Sequence, residues 1–283
     1  MPSRKAPTAR QRRLGTELRR IREHTGLSLT AAAAMLGTDR TTISNIESGR
    51  FGVSAERVRA WTGHYGCPDA AYVEALADMA GERISGWWED YRGDLASGAL
   101  DLAELEYHAI GIRSVQIMYM PGLLQTEDYA RAVFAESVPP PSPERQRRQL
   151  SHRLRRRDVL DRHELASCTF LIHEAALRMV YGDSSVARGQ LDNLLVQSDR
   201  DNVTIRAIPF AAGGFPYASS SAHYVCGAVP QLDTVQTDTA TGSGFLDAET
   251  SLENWRVALD RTEEKSLDPD GSRDFIRRIA KQA

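Results

Sequence analysis

Cysteine is scarce in this chain of 283 residues: Cys67, Cys168 and Cys226, odd in number and far apart. No Cys-x-x-Cys pair occurs, which argues against a zinc site or a redox dithiol. Three reduced thiols are what a cytoplasmic protein carries. Long apolar runs are missing as well. None approaches the roughly 18 residues that a bilayer span needs, and the charged start, Met1 to Pro7, has no apolar stretch behind it of the signal-peptide kind. Compact catalytic signatures are also lacking: no His-Glu-x-x-His, no Gly-x-Ser-x-Gly elbow, no Walker glycine loop and no dinucleotide fingerprint. These absences lead us to expect a soluble cytoplasmic protein with no cofactor and no metal, and not an enzyme.

What is present is ordinary globular material, 41% hydrophobic and 26% charged. At roughly 150 residues per domain the length suits two domains. The net charge of −3 hides a division. Residues 1–63 hold twelve Lys/Arg against five Asp/Glu, a net +7, and residues 64–283 hold twenty-three against thirty-three, a net −10. A basic module that touches a polyanion, joined to an acidic body with another task, fits that asymmetry.

Residues 1–11 are polar, basic and interrupted by Pro2 and Pro7, and read as a flexible arm. Arg4, Lys5, Arg10, Arg12 and Arg13 suit either a minor-groove or backbone arm or a merely solvated tail. From residue 12 to residue 81 the apolar spacing predicts five short helices in an all-α domain. Leu14, Leu18 and Ile21 line the first, Ser28 caps the second, Asp39 the third and Ser54 the fourth, and Pro68 opens the fifth. Two helices of about eight residues around a tight turn at Gly37 are what a helix-turn-helix needs. The alanines at 31–34 permit close helix approach. Ile43 and Ile46 occupy the inner side of the next helix. Arg40, Thr41, Ser44 and Asn45 are left outward to read bases in a major groove, where arginine suits guanine and asparagine suits adenine.

The run Leu27-Ser-Leu-Thr-Ala-Ala-Ala-Ala-Met-Leu-Gly37, followed by Thr41-Thr-Ile-Ser-Asn-Ile-Glu-Ser-Gly-Arg50, resembles the XRE/Cro/C1-type repressor domain. The resemblance implies phosphate contacts from Arg22, Ser28, Thr42 and Arg50. It also implies a structural role for Glu47 beside a neighbouring arginine. The glutamine that often opens the second helix of that family is replaced here by Leu29 and Thr30, so its base contact is not carried over.

Residues 82–283 read as an α+β domain for regulation, dimerisation or partner binding. Helical patterns at 82–97, 126–134, 143–163 and 184–198 mix with strands at 112–120, 168–173, 203–208, 223–229 and 234–237, and two helices close the chain. The segments Pro121-Gly-Leu-Leu-Gln-Thr-Glu-Asp-Tyr-Ala130, Arg153-x-x-Arg-Arg157, His173-Glu-Ala-Ala-Leu-Arg178 and Val203-Thr-Ile-Arg-Ala-Ile-Pro-Phe210 resemble the C-terminal domain of WhiJ-like, antitoxin-like actinobacterial regulators. That resemblance implies transcription regulation, modified by a small partner protein or a small-molecule effector.

Three features of this body invite chemistry, and each has a plainer reading that we favour. His173-Glu174, with Asp183 and His223, would need to converge to form an acid–base or metal site, and reads better as a strand end and a helix start. Thr241-Gly-Ser-Gly244 is too short for phosphate binding and reads as a loop. The eight arginines between 145 and 162 suit a second nucleic-acid or partner surface, but read better as a solvated helix face paired with acids such as Asp158 and Asp161. Trp87, Trp88 and Tyr91 read as core. The combined expectation is a homodimeric, sequence-specific regulator of double-stranded operator DNA, a repressor by type. The alternatives are an antitoxin-like binding protein that acts mainly through a partner complex, and, last, an enzyme that its helix-turn-helix only localises.

Overall fold

The computed structural model describes residues 7–82, 86–239 and 242–282. It divides into two compact units, residues 1–87 and 88–283, each folded around its own core. The division lies six residues beyond the expected boundary at 81.

The first unit is all helical: α1 (Ala9–His24), α2 (Leu29–Met35), α3 (Arg40–Glu47), α4 (Ala55–His64) and α5 (Ala70–Gly81). Each start has a side chain that accepts a backbone N–H left open by the first turn: Thr8, Ser28, Asp39, Ser54 and Asp69. The expected caps of α2, α3 and α4 are therefore present, while α5 is capped by Asp69 and Pro68 lies just before it. α1 begins three residues earlier than expected, because Thr8 and Gln11 close a reciprocal capping box. Residues 9–11 are thus helix and not arm, and Arg4 and Lys5 lie outside the described residues. Leu18, Ile43, Ile46, Val58, Trp61 and Leu76 fill the centre.

The second unit is a three-layer α+β domain. In chain order it holds α6 (Ser97–Tyr107), β1 (Gly111–Gln116), α7 (Glu127–Ala135), α8 (Pro143–Arg156), β2 (Ser167–His173), α9 (Glu174–Arg178), α10 (Ser184–Gln197) and β3 (Val203–Ile208). There follow β4 (Ala222–Cys226), β5 (Thr234–Thr239), β6 (Gly242–Leu246), α11 (Glu249–Lys265) and α12 (Pro269–Ala280). The six strands form one sheet in the order β3-β2-β1-β4-β5-β6. The first three are mutually parallel and the other three join antiparallel. Alternation along the strands divides two cores. Phe170, Ile172, Ile205 and Ala207 face Tyr129, Leu191, Leu194, Ile276 and Ile279. Leu171, Val115, Tyr224 and Val235 face Leu252, Trp255 and Leu259. A strand buried on both sides reads as a near-continuous apolar run, which is how β2 appears in the sequence.

Several expectations are corrected. Residues 82–97 are not one helix: a short 3-10 turn spans Trp87–Tyr91, and the true helix, α6, starts at Ser97. α8 stops at Arg156 and a 3-10 turn continues to Asp161. β1 and β4 are shorter than their apolar runs. Residues 242–244 belong to strand β6 and not to a loop, because pairing with β5 satisfies a glycine-rich segment that has little strand propensity of its own. Trp88 and Tyr91 are buried core residues. Trp88 packs at 5.2 Å from Tyr107 and Tyr91 at 5.1 Å from His152, measured between ring centroids.

Candidate DNA interface

α2 and α3 are joined by a short turn in which Gly37 takes φ +61°, a left-handed conformation that other residues rarely adopt. Asp39 then starts α3. Its Oδ1 accepts the Thr42 amide at 2.8 Å and its Oδ2 accepts the Thr42 hydroxyl at 2.6 Å. Those bonds hold the Asp39 carboxyl below its usual range. α3 ends in a Schellman arrangement: Gly49 N donates to Ile46 O at 2.9 Å and Arg50 N to Asn45 O at 2.8 Å, with Gly49 at φ +71°.

α3 buries Ile43, Ile46 and Glu47 against the domain and leaves Arg40, Thr41 and Ser44 exposed, with Asn45 half-buried. The four residues expected to read bases therefore share the outer part of one helix. Ser48, exposed one turn beyond Ser44, adds a hydroxyl that the sequence reading overlooked. Its Oγ donates to the Asn45 carbonyl at 3.1 Å.

Of the four residues expected to contact phosphates, Ser28 and Arg50 are exposed, while Arg22 and Thr42 are engaged within the domain. Arg50 is exposed just past α3. Ser28 is exposed at the start of α2, where its Oγ accepts the Ala31 amide at 3.2 Å and keeps its own proton available. Arg22 is buried instead. Its Nε and Nη2 grip Glu47 at 2.7 and 2.8 Å, and its Nη1 donates to the Leu27 carbonyl at 2.6 Å. Donating to Glu47 raises the Arg22 pKa further above its usual value against the pull of burial. A guanidinium with all three nitrogens committed inside the domain cannot also serve a phosphate, so Arg22 is a clamp between α1, the loop before α2, and the end of α3. Thr42 has likewise given its hydroxyl proton to Asp39 and has no side-chain donor left for a phosphate.

A second hub went unread in the sequence. The Glu17 carboxylate is 2% exposed and accepts Arg13 Nε, Arg20 Nη1 and the Tyr72 hydroxyl, each at 2.6 Å. It ties α1 to α5. The signal was present in part, since Arg13 and Glu17 stand four apart on one helix. Tyr72, 55 positions away, gave none. Arg10 pairs with Glu82 at 2.7 Å and Arg19 with Glu23 at 2.8 Å.

In the second unit the residues that invited acid–base chemistry do not converge. His173 Nδ1 accepts the Ala175 amide at the start of α9. Glu174 bonds Arg178 and the Phe210 amide. Asp183 caps α10. His223 lies on β4, with β1 between it and β2. Among the described residues no group of three or more His, Cys, Asp or Glu is placed to hold a metal ion. No helix of the described residues is long and apolar enough to cross a membrane.

A short tight turn, a capped second helix and a polar outer face on an internally anchored third helix define a helix-turn-helix protein. Residues 13–79 match the helix-turn-helix domain family, which points to DNA binding and transcription regulation as the class of function. Residues 99–278, more than half of the chain, match the family described as domain of unknown function DUF5753, and the chain belongs to that family. No curated protein and no solved structure matches it.

Proposed function

We propose that this protein is a sequence-specific transcriptional regulator of the XRE/Cro/C1 type, a repressor that binds its operator as a homodimer in the cytoplasm. Arg40, Thr41, Ser44 and Asn45 read base edges, and Ser28 and Arg50 hold phosphates. The observation that carries this reading is α3 itself, anchored inside by Ile43, Ile46 and the Arg22–Glu47 pair while its polar residues stay exposed. Dimerisation follows from scale. A helix of eight residues makes few base contacts, and two half-sites one helical turn apart multiply specificity. The 88–283 unit acts as a sensor for a small ligand or a small partner protein and is not an enzyme. That reading is supported by the commitment of His173 and Glu174 to helix starts and local ion pairs.

A gel shift with operator and unrelated DNA at graded salt tests the proposal. Arg40→Ala is expected to lose about 1–3 kcal/mol of discrimination at one base position while nonspecific binding survives. Equal loss on every sequence would show that Arg40 touches only the backbone.

A further inference from the structure

The arginine-rich stretch is not accounted for by DNA binding, and α8 sends two of its arginines inward. Arg156 is buried and forks onto Glu106, Nε to Oε2 at 2.7 Å and Nη2 to Oε1 at 2.6 Å. Glu106 is 1% exposed and also lies 3.1 Å from Nε2 of His223. Arg153, three residues before Arg156, is half-buried and makes no ion pair among the described residues. Its Nη1 donates to the side-chain oxygen of Gln125 at 2.6 Å, and its guanidinium carbon stands 5.0 Å from the centroid of the Phe134 ring. Gln125 is itself fixed by donating from Nε2 to the Met120 carbonyl at 2.9 Å.

The backbone turn at Pro121-Gly122 gathers the two guanidinium groups. A Cβ at position 122 would sit 3.3 Å from Nη1 of Arg153 and 3.5 Å from Nη2 of Arg156. The sheet supplies a polar floor in the same neighbourhood. Ser114, His223 and Gln236 are register partners across β1, β4 and β5, all buried, on the face where β2 and β3 carry Phe170, Ile172, Ile205 and Ala207. Of the two guanidinium groups, among the described residues, only Arg156 is in contact with a carboxylate, that of Glu106. Burial and then Arg156 pull the Arg153 pKa down to about 10. Glu106 and Asp238 pull the other way without an ion pair to it, and a half-buried cation with no carboxylate in contact gains from an anion that joins it. The Nε–Nη2 edge of Arg153 takes part in no hydrogen bond among the described residues, and a planar two-donor edge fits a carboxylate or a phosphate in bidentate fashion.

We propose that Arg153, oriented by Gln125 and the Gly122 turn and backed by Arg156, is the anchor of a binding site for a small molecule bearing a carboxylate or phosphate group. The binding needs nothing from the helix-turn-helix. Only its regulatory meaning rests on the reading of the 88–283 unit as a sensor.

The test is calorimetric titration of the full chain with inorganic phosphate and, separately, acetate, each against chloride at equal ionic strength. Saturable binding of phosphate, acetate or both is expected, and the anion that binds tells the two chemistries apart. Arg153→Gln is expected to weaken it at least about tenfold, the scale of one lost charge-assisted contact. Arg147→Gln, an exposed arginine on the same helix, is expected to leave it unchanged. Arg153→Lys keeps the charge and loses the fork. It is expected to fold even if Arg153→Gln does not, and to bind several-fold more weakly than the original chain. No saturable binding of either anion, or unchanged binding in both Arg153 variants, overturns the site. Anion binding with no effect on the operator gel shift leaves the site standing and removes the sensor reading instead.

Discussion

At position 15 a hydrogen occupies the place where any other side chain would begin. A Cβ there would lie 2.5 Å from the Ile46 carbonyl oxygen and 2.6 Å from that of Glu47. Backbone atoms cannot swing aside as a long side chain can, so α1 would have to move off the end of α3. Gly15→Ala is expected to destabilise the helix-turn-helix unit by about 1–3 kcal/mol, despite the better helix propensity of alanine. Thermal unfolding followed by circular dichroism checks this, and a variant as stable as the original would show that α1 and α3 have slack between them. Arg22 works at the same scale. It holds Glu47 with two nitrogens and the Leu27 carbonyl with the third, which the point charge of a lysine cannot reproduce.

Among the elements, α8 carries the main acid sensitivity. His152 is 3% exposed, and burial followed by the nearby Arg156 pushes its pKa from 6.5 down to about 3, with Glu106 pulling the other way. Glu106 shows the reverse balance. Burial alone would raise its pKa, but Arg156 and His223 hold it at about 2 instead of 4.5. Between pH 6.5 and about 3 the unfolded chain binds a proton at His152 that the folded chain does not. Between 4.5 and about 2 the same holds at Glu106. Stability therefore falls as pH falls, by about 1.4 kcal/mol per unit for the first group. The slope steepens when the second joins below 4.5. Both contributions are complete above pH 6.5. Denaturant unfolding across this range is expected to show the loss, and His152→Phe to remove the part between 6.5 and 4.5. An unchanged slope in that variant would move the acid sensitivity to another group.

The whole molecule is organised by charge. Its net −3 divides into +4 over residues 1–87, thirteen Lys/Arg against nine Asp/Glu, and −7 over residues 88–283, twenty-two against twenty-nine. On the proposed function, the acidic second unit would repel the DNA backbone and leave the contact to the small basic unit. Within that unit, much of the positive charge is internal. Arg13, Arg20 and Arg22 are engaged by Glu17 and Glu47, so fewer cations face outward than the thirteen Lys/Arg of residues 1–87 suggest. Removing residues 1–6, which include Arg4 and Lys5, is expected to lower the salt slope of operator binding by about 2, at roughly 0.9 per phosphate contact. A slope that does not move would show that the segment makes no contact with DNA.

The helix-turn-helix was legible because its determinants are local. Ser28, Asp39 and Ser54 act on amides three residues away, Gly37 acts on its own φ angle, and Ile43 and Ile46 repeat at the spacing of one helical face. α6 was missed because Ala96 gives its start no side-chain cap, and β6 because glycine hides a strand that pairing with β5 stabilises. Arg22 and Thr42 were read by their own chemistry alone, although Asp39 stands three residues before Thr42 and Glu47 was already expected beside an arginine. The sequence by itself thus determined the five helices, the caps of α2, α3 and α4 and the polar outer face of α3, since such rules operate within a turn or two of chain. Tertiary structure alone decided which charges meet. Arg22 finds Glu47 across 25 positions, and Arg156 finds Glu106 across 50 while His223 approaches from β4. The physical reason is desolvation, which selects a buried ion's partner by the packing of distant elements and leaves no periodic trace in the chain.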